Sequence, residues 1–111
     1  MATMQERALE ELDARYEIRN GREVFRYLAE YPELEPVLIE AYSQICKIFG
    51  DDARASLDFW QNPEELSDVS LWVYITSSFK GIDANNRLSL LDEWFIDIIP
   101  RSKGSLNFDT R

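Results

Sequence analysis

From Leu34 to Phe49 apolar side chains return every third or fourth residue, and from Arg54 onward they alternate. That change of period, across Gly50, constrains the fold more than any other feature of the chain. Leu34, Val37, Leu38, Ala41, Tyr42, Ile45, Ile48 and Phe49 form one stripe along four helical turns. Pro36 is tolerated in the first turn, where its missing N–H has no partner, and Gly50 supplies the stop. Arg54-Ala55-Ser56-Leu57-Asp58-Phe59-Trp60 then sets Ala55, Leu57 and Phe59 against Arg54, Ser56 and Asp58, the pattern of a half-solvated strand. A chain holding both periods is expected to lay helices on a sheet.

The remaining segments extend that plan. Residues 5–16 are rich in helix formers, with Leu9, Leu12 and Tyr16 at helical spacing. The stripe is thin, and a docked helix, a frayed arm and a segment ordered against a second copy all fit it. Asn20 followed by Glu23 has the form of a capping box, with Val24, Phe25 and Leu28 facing inward and Tyr31-Pro32 ending the helix. Leu71-Trp72-Val73-Tyr74-Ile75-Thr76 is β-branched and aromatic on both faces, suited to a central strand. Asp83 is the expected N-cap of a further helix carrying Leu88, Leu91, Trp94, Phe95, Ile98 and Ile99 inward, closed by Pro100. After the basic turn Arg101-Ser102-Lys103-Gly104, residues 105–109 alternate as a third strand. The expected fold is α+β in two layers: about three strands in the order β-β-α-β, with the N-terminal helices on one face. Residues 1–19 are expected as an N-terminal helical segment or arm, and 20–111 as a single domain. The first two strands are expected to pair antiparallel, and the final strand–helix–strand unit to be right-handed if its strands run parallel.

The inventory of ionisable groups narrows the chemistry. The 111 residues carry 21 acidic and 12 basic side chains, no histidine and one cysteine, for a formal charge of −9. Without histidine, Ser-His-Asp and Cys-His nucleophiles are excluded. Cys46 lies near a helix C-terminus among isoleucines, whereas thiols become reactive beside a cation or a helix N-terminus, so it is read as structural. A lone cysteine forms no internal disulfide and fits a reducing cytoplasm. The first residues have neither a basic nor an apolar leader region, and no apolar run approaches the roughly 20 residues that span a bilayer. Four glycines, at 21, 50, 81 and 104, have no phosphate-loop spacing, and no cofactor is expected. Nucleic acid is disfavoured by the average field, since DNA binding rests on Lys and Arg displacing counterions.

Asp51/Asp52 with Glu64, Glu65 and Asp68 lack the ligand alternation and central glycine of an EF-hand loop, so no metal site is assigned. Asp58, Asp92, Glu93 and Asp109 are the carboxylates an acid–base pair would draw on, yet the ordinary reading of all four is solvation or pairing with Arg54, Arg87 or Lys103.

The order of motifs resembles a family of small, largely uncharacterised bacterial proteins common among cyanobacteria. The matching residues are Tyr31-Pro32-Glu33-Leu34, Leu38-Ile39-Glu40-Ala41-Tyr42 with Ile45, Leu57, Asn62-Pro63-Glu64-Glu65, Trp72-Val73-Tyr74-Ile75, Leu91-Asp92-Glu93-Trp94 and Gly104-Ser105-Leu106-Asn107-Phe108. The resemblance covers roughly residues 24–111. The resemblance implies an intracellular protein of the fold above and brings no activity or catalytic residue with it.

Charge and aromatics point to a contact surface instead. Residues 51–70 hold six acids against Arg54, while 71–111 balance five of each sign. Alternation puts Trp72, Tyr74 and Thr76 on the side of their strand opposite Leu71, Val73 and Ile75, with Trp60 leaving its strand on the polar side. The expected site is therefore Trp60, Trp72, Tyr74 and Thr76 with Glu64, Glu65 and Asp68 at the rim, on a non-enzymatic cytoplasmic module that binds a protein partner or a second copy by a sheet face or edge. Two alternatives stand beside it: a small carboxylate- or divalent-metal-dependent enzyme, and an antitoxin-like or inhibitor protein that neutralises a basic partner.

Overall fold

The computed structural model describes residues 4–97 and 105–111, with side chains from residue 10 onward. In chain order its elements are α1 (Met4–Arg15), β1 (Glu17–Ile18), α2 (Gly21–Glu30), α3 (Leu34–Phe49), β2 (Arg54–Gln61), β3 (Val69–Thr76), α4 (Gly81–Ile96) and β4 (Leu106–Thr110). The class is α+β, with four strands where about three were expected. They lie in the order β1-β2-β3-β4. β2 and β3 form the antiparallel pair, β1 runs parallel to β2, and β4 runs parallel to β3. Parallel neighbours cannot be joined by a tight turn. The chain accordingly crosses through α2 and α3 between β1 and β2, and through α4 between β3 and β4.

The unforeseen strand is β1. It has two residues, paired Glu17 with Ser56 and Ile18 with Leu57, and the Arg19 N–H continues the ladder to the Leu57 carbonyl at 2.8 Å. The segment before it is docked. Leu12 is fully buried and Tyr16 nearly so, while the Tyr16 hydroxyl donates to the Leu38 carbonyl at 2.6 Å and its ring meets Tyr42 edge to face. Burial pushes the Tyr16 phenol far above its ordinary range, so it is a permanent donor. The side chain of Leu9 lies outside the described residues.

Parity of the strand residues decides what is covered. Ala55 and Leu57, Leu71, Val73 and Ile75, and Leu106 and Phe108 all enter the core, where α1 to α4 meet them with Leu12, Leu28, Leu38, Ile45, Phe49, Leu91 and Phe95. Each fully buried Leu or Phe side chain contributes about 1.5–3 kcal/mol relative to exposure. Phe95 on Phe108, edge to face at 5.0 Å, fixes α4 on β4.

Two caps differ from expectation. Asn20 does precede α2, but its backbone is left-handed (φ 52, ψ 49) and its side chain makes no cap bond. Its Nδ2 donates instead to Asp58 Oδ1 at 2.7 Å, so tertiary pairing with β2 has displaced the capping box. Asp83 is not the cap of α4. That helix begins at Gly81, whose φ of 59° makes the turn a β-carbon would strain, with Lys80 in the cap position. The expectations for Ile98 to Pro100 and for the turn Arg101 to Gly104 lie outside the described residues.

Candidate functional site

Strand residues of the second parity stay out of the hydrophobic core and form an open face. From the β2–β3 hairpin downward, its rungs follow from the register. Trp60 lies beside Ser70; Asp58, Trp72 and Asn107 come next; Ser56, Tyr74 and Asp109 follow; Arg54 and Thr76 close the series. β1 adds Glu17 beside Ser56 and, one residue further, Arg19 beside Asp58. Trp72 and Tyr74 stack at 6.0 Å with an interplanar angle of 12°, both half-buried, and Trp60 is 42% exposed. Thr76 is exposed on the same face. The alternation of residues 71–76 is thus realised, and Trp60 joins the aromatic side.

The two ends of this face carry different charge. At the hairpin end, Glu64, Glu65 and Asp68 are exposed on the loop joining β2 to β3. The loop is held by its own bonds: the Asn62 N–H donates to the Asp68 carbonyl at 2.9 Å, the Glu64 N–H to Asn62 Oδ1 at 2.9 Å, and Gln61 Nε2 to the Leu66 carbonyl at 2.8 Å. An Asx turn of this kind gives the acids a defined position rather than a solvated tether.

At the other end is a cleft of about 430 Å³ between the last turn of α1 and the sheet, lined among others by Arg15, Arg19, Arg54 and Arg111. Four of the twelve basic side chains of an acidic chain therefore converge there. Arg111 lies over the Tyr74 ring, 3.8 Å from its centroid, and Arg19 pairs with Glu17 at 3.7 Å. A guanidinium on an aromatic face keeps its edge donors free for an anion while its plane is covered. This convergence was not legible in the sequence, because positions 15, 19, 54 and 111 meet only through the strand order.

Of the carboxylates singled out from the sequence, Asp58 and Asp109 lie on the sheet face and Asp92 and Glu93 on α4. Asp58 accepts from Asn20 and from the Phe59 N–H, and sits across β3 from Asp109 on the open face. Asp92 and Glu93 belong to α4, which packs on β4 by way of Phe95. Burial raises the Asp92 carboxyl above its ordinary range. No group of three or more acidic or thiol ligands suited to a metal occurs among the described residues. No helix among them is long and apolar enough to cross a membrane. Cys46 is half-buried beside Tyr42, whose phenol is raised chiefly by burial and further by the thiol.

One group was missed by the reading of the sequence. Glu35, in the first turn of α3, is 7% exposed, and its Oε1 has no hydrogen-bond partner. Burial raises its carboxyl above the ordinary value. Comparison of the chain with protein-family models, with curated proteins and with solved structures finds no match.

Proposed function

We propose that this chain is a non-enzymatic protein-interaction module and that the open face of its sheet is the contact. The observation that carries the reading is the stacked Trp72–Tyr74 pair, half-buried on the side of a central strand that faces away from the hydrophobic core, with the exposed Trp60 on the same side. Large aromatics outside the core are the residues that most often anchor interfaces, where water exclusion multiplies their value. The face is framed for recognition rather than for chemistry. It has an acidic hairpin at one end, arginines and Thr76 at the other, and Asn107 between them as a hydrogen-bonding group. An acidic average charge with a locally basic cleft also steers partners by orientation, which affects encounter rates more than final affinity.

The competing surface is the outer side of α4, where Ile82 and Leu90 are exposed. Single exposed apolar residues are ordinary, and these two serve as the control. Capture of binding partners on the immobilised chain should be compared for wild type, Trp72→Ala/Tyr74→Ala and Ile82→Ser/Leu90→Ser. The sheet-face variant is expected to lose its partner, with affinity lowered about thirtyfold or more, as for aromatic anchors worth about 2 kcal/mol each. The α4 variant is expected to bind as wild type. Unchanged capture by the sheet-face variant contradicts the reading.

A further inference from the structure

The geometry points to a second copy of this chain as the occupant of the open face, in a symmetric dimer whose two-fold axis runs perpendicular to the strands. This rests on the reading of the face as a contact surface and adds the partner and its orientation.

Two identical sheets packed face to face, about 10 Å apart, are related by an axis lying between them. Perpendicular to the strands and midway along the four rungs, that axis falls between the Trp72 rung and the Tyr74 rung. Each residue of one rung then faces a residue of the other. Trp72 meets the partner copy's tyrosine, Asn107 meets the carboxylate of Asp109, and Asp58 lies over the position of Ser56, whose side chain is buried. On β1, Arg19 meets Glu17. The outer rungs bring Trp60 over Arg54, a cation on an aromatic face. The exposed and half-buried pairs Trp72–Tyr74, Asn107–Asp109, Arg19–Glu17 and Trp60–Arg54 are complementary, and no rung sets like charges on each other.

The same operation carries each acidic hairpin onto the other copy's arginine cleft. Glu64, Glu65 and Asp68 end a face whose opposite end holds Arg15, Arg54 and Arg111. The alternative axis, parallel to the strands, does the reverse. It sets hairpin acids on hairpin acids, arginines on arginines, and Glu17 on Asp109, an arrangement that costs several-fold to thousands-fold in affinity. Size reinforces the point. The four strands, of two, eight, eight and five residues, present roughly 370 Å² in all, short of the roughly 800 Å² per partner of a standard interface. The hairpin–cleft contacts at both ends supply the remainder, so the charged ends are needed for assembly as well as for orientation.

The test is a charge swap read by sedimentation velocity over a micromolar to millimolar series. Wild type is expected to dimerise. The basic-hairpin variant Glu64→Lys/Glu65→Lys/Asp68→Lys and the acidic-cleft variant Arg54→Glu/Arg111→Glu each oppose like charges at both ends of their homodimers. Each should weaken self-association about a hundredfold or more. Mixed together they are complementary at both ends, and an equimolar mixture should regain a 1:1 dimer. Because the changed side chains are exposed, circular dichroism should match wild type, and recovery on mixing itself shows both variants folded. A wild-type chain that stays monomeric overturns the dimer while leaving the sheet-face reading to the capture experiment. Variants that self-associate like wild type, or that fail to rejoin on mixing, overturn the antiparallel arrangement.

Discussion

Leu12→Ala is expected to cost about 2–5 kcal/mol, the range for emptying a fully buried leucine site. Against the roughly 5–15 kcal/mol that holds a domain of this size together, that is on the order of a third of the total. Leu12 is fully buried in the core cluster, on a helix that packs against α3, and Tyr16 one turn on is tied to the Leu38 carbonyl. Leu12 and Tyr16 are thereby part of the hydrophobic core, and removing Leu12 should lower the denaturation midpoint of the whole domain in one transition. The exposed neighbour Glu11 provides the control, since Glu11→Ala should shift stability by about 0.5 kcal/mol or less. Chemical denaturation followed by far-ultraviolet circular dichroism reads both. A Leu12→Ala loss no larger than that of Glu11→Ala contradicts the docking of α1.

Glu35→Met is expected to stabilise the protein at pH 7, by about 1–2 kcal/mol. A buried acceptor without a partner costs about 1–3 kcal/mol, and the favourable position of an acid in a helix first turn returns only about 0.3–1. For a domain of this length the melting temperature should rise by roughly 5 °C. The pH dependence gives a second readout. Burial raises the Glu35 carboxyl in the folded state above its ordinary value of 4.5, so the folded chain holds this proton more tightly than the unfolded chain. The corresponding stability is fully present below that ordinary value and is lost as pH rises through the raised one. The advantage of Glu35→Met over wild type should therefore grow from pH 4 upward and then level off. Thermal melts across that range test it, and an advantage independent of pH contradicts the burial of an ionisable carboxylate.

What the sequence made legible was local. Residues 54–61 and 69–76 alternate cleanly because one side of each strand meets the core and the other does not, so the aromatic face could be anticipated from parity alone. The stripe from Leu34 to Phe49 was legible for the same reason, with burial on a 3.6-residue period. β1 was not, because two residues carry no period; the alternation of Tyr16 and Ile18 with Glu17 and Arg19 was its only trace. Its pairing with β2, 38 residues from Asn20 to Asp58 at the flanking contact, is a long-range event set by the α2–α3 crossover. That contact also diverts Asn20 from its cap, so a correct local rule yields to a tertiary bond. The arginine cleft assembles from three distant segments, around residues 15–19, 54 and 111, and is visible only once the strand order is known. Glu35 stands in the first turn of α3, and its burial depends on how α3 sits in the fold.

The open sheet face is tested most directly by hydroxyl-radical footprinting of Trp60, Trp72 and Tyr74, with Leu90 as reference, in the free and the associated chain. Association should protect the three aromatics severalfold while Leu90 labels at an unchanged rate. Equal labelling of the aromatics in both states, with protection appearing on α4 instead, would contradict the sheet face as the contact.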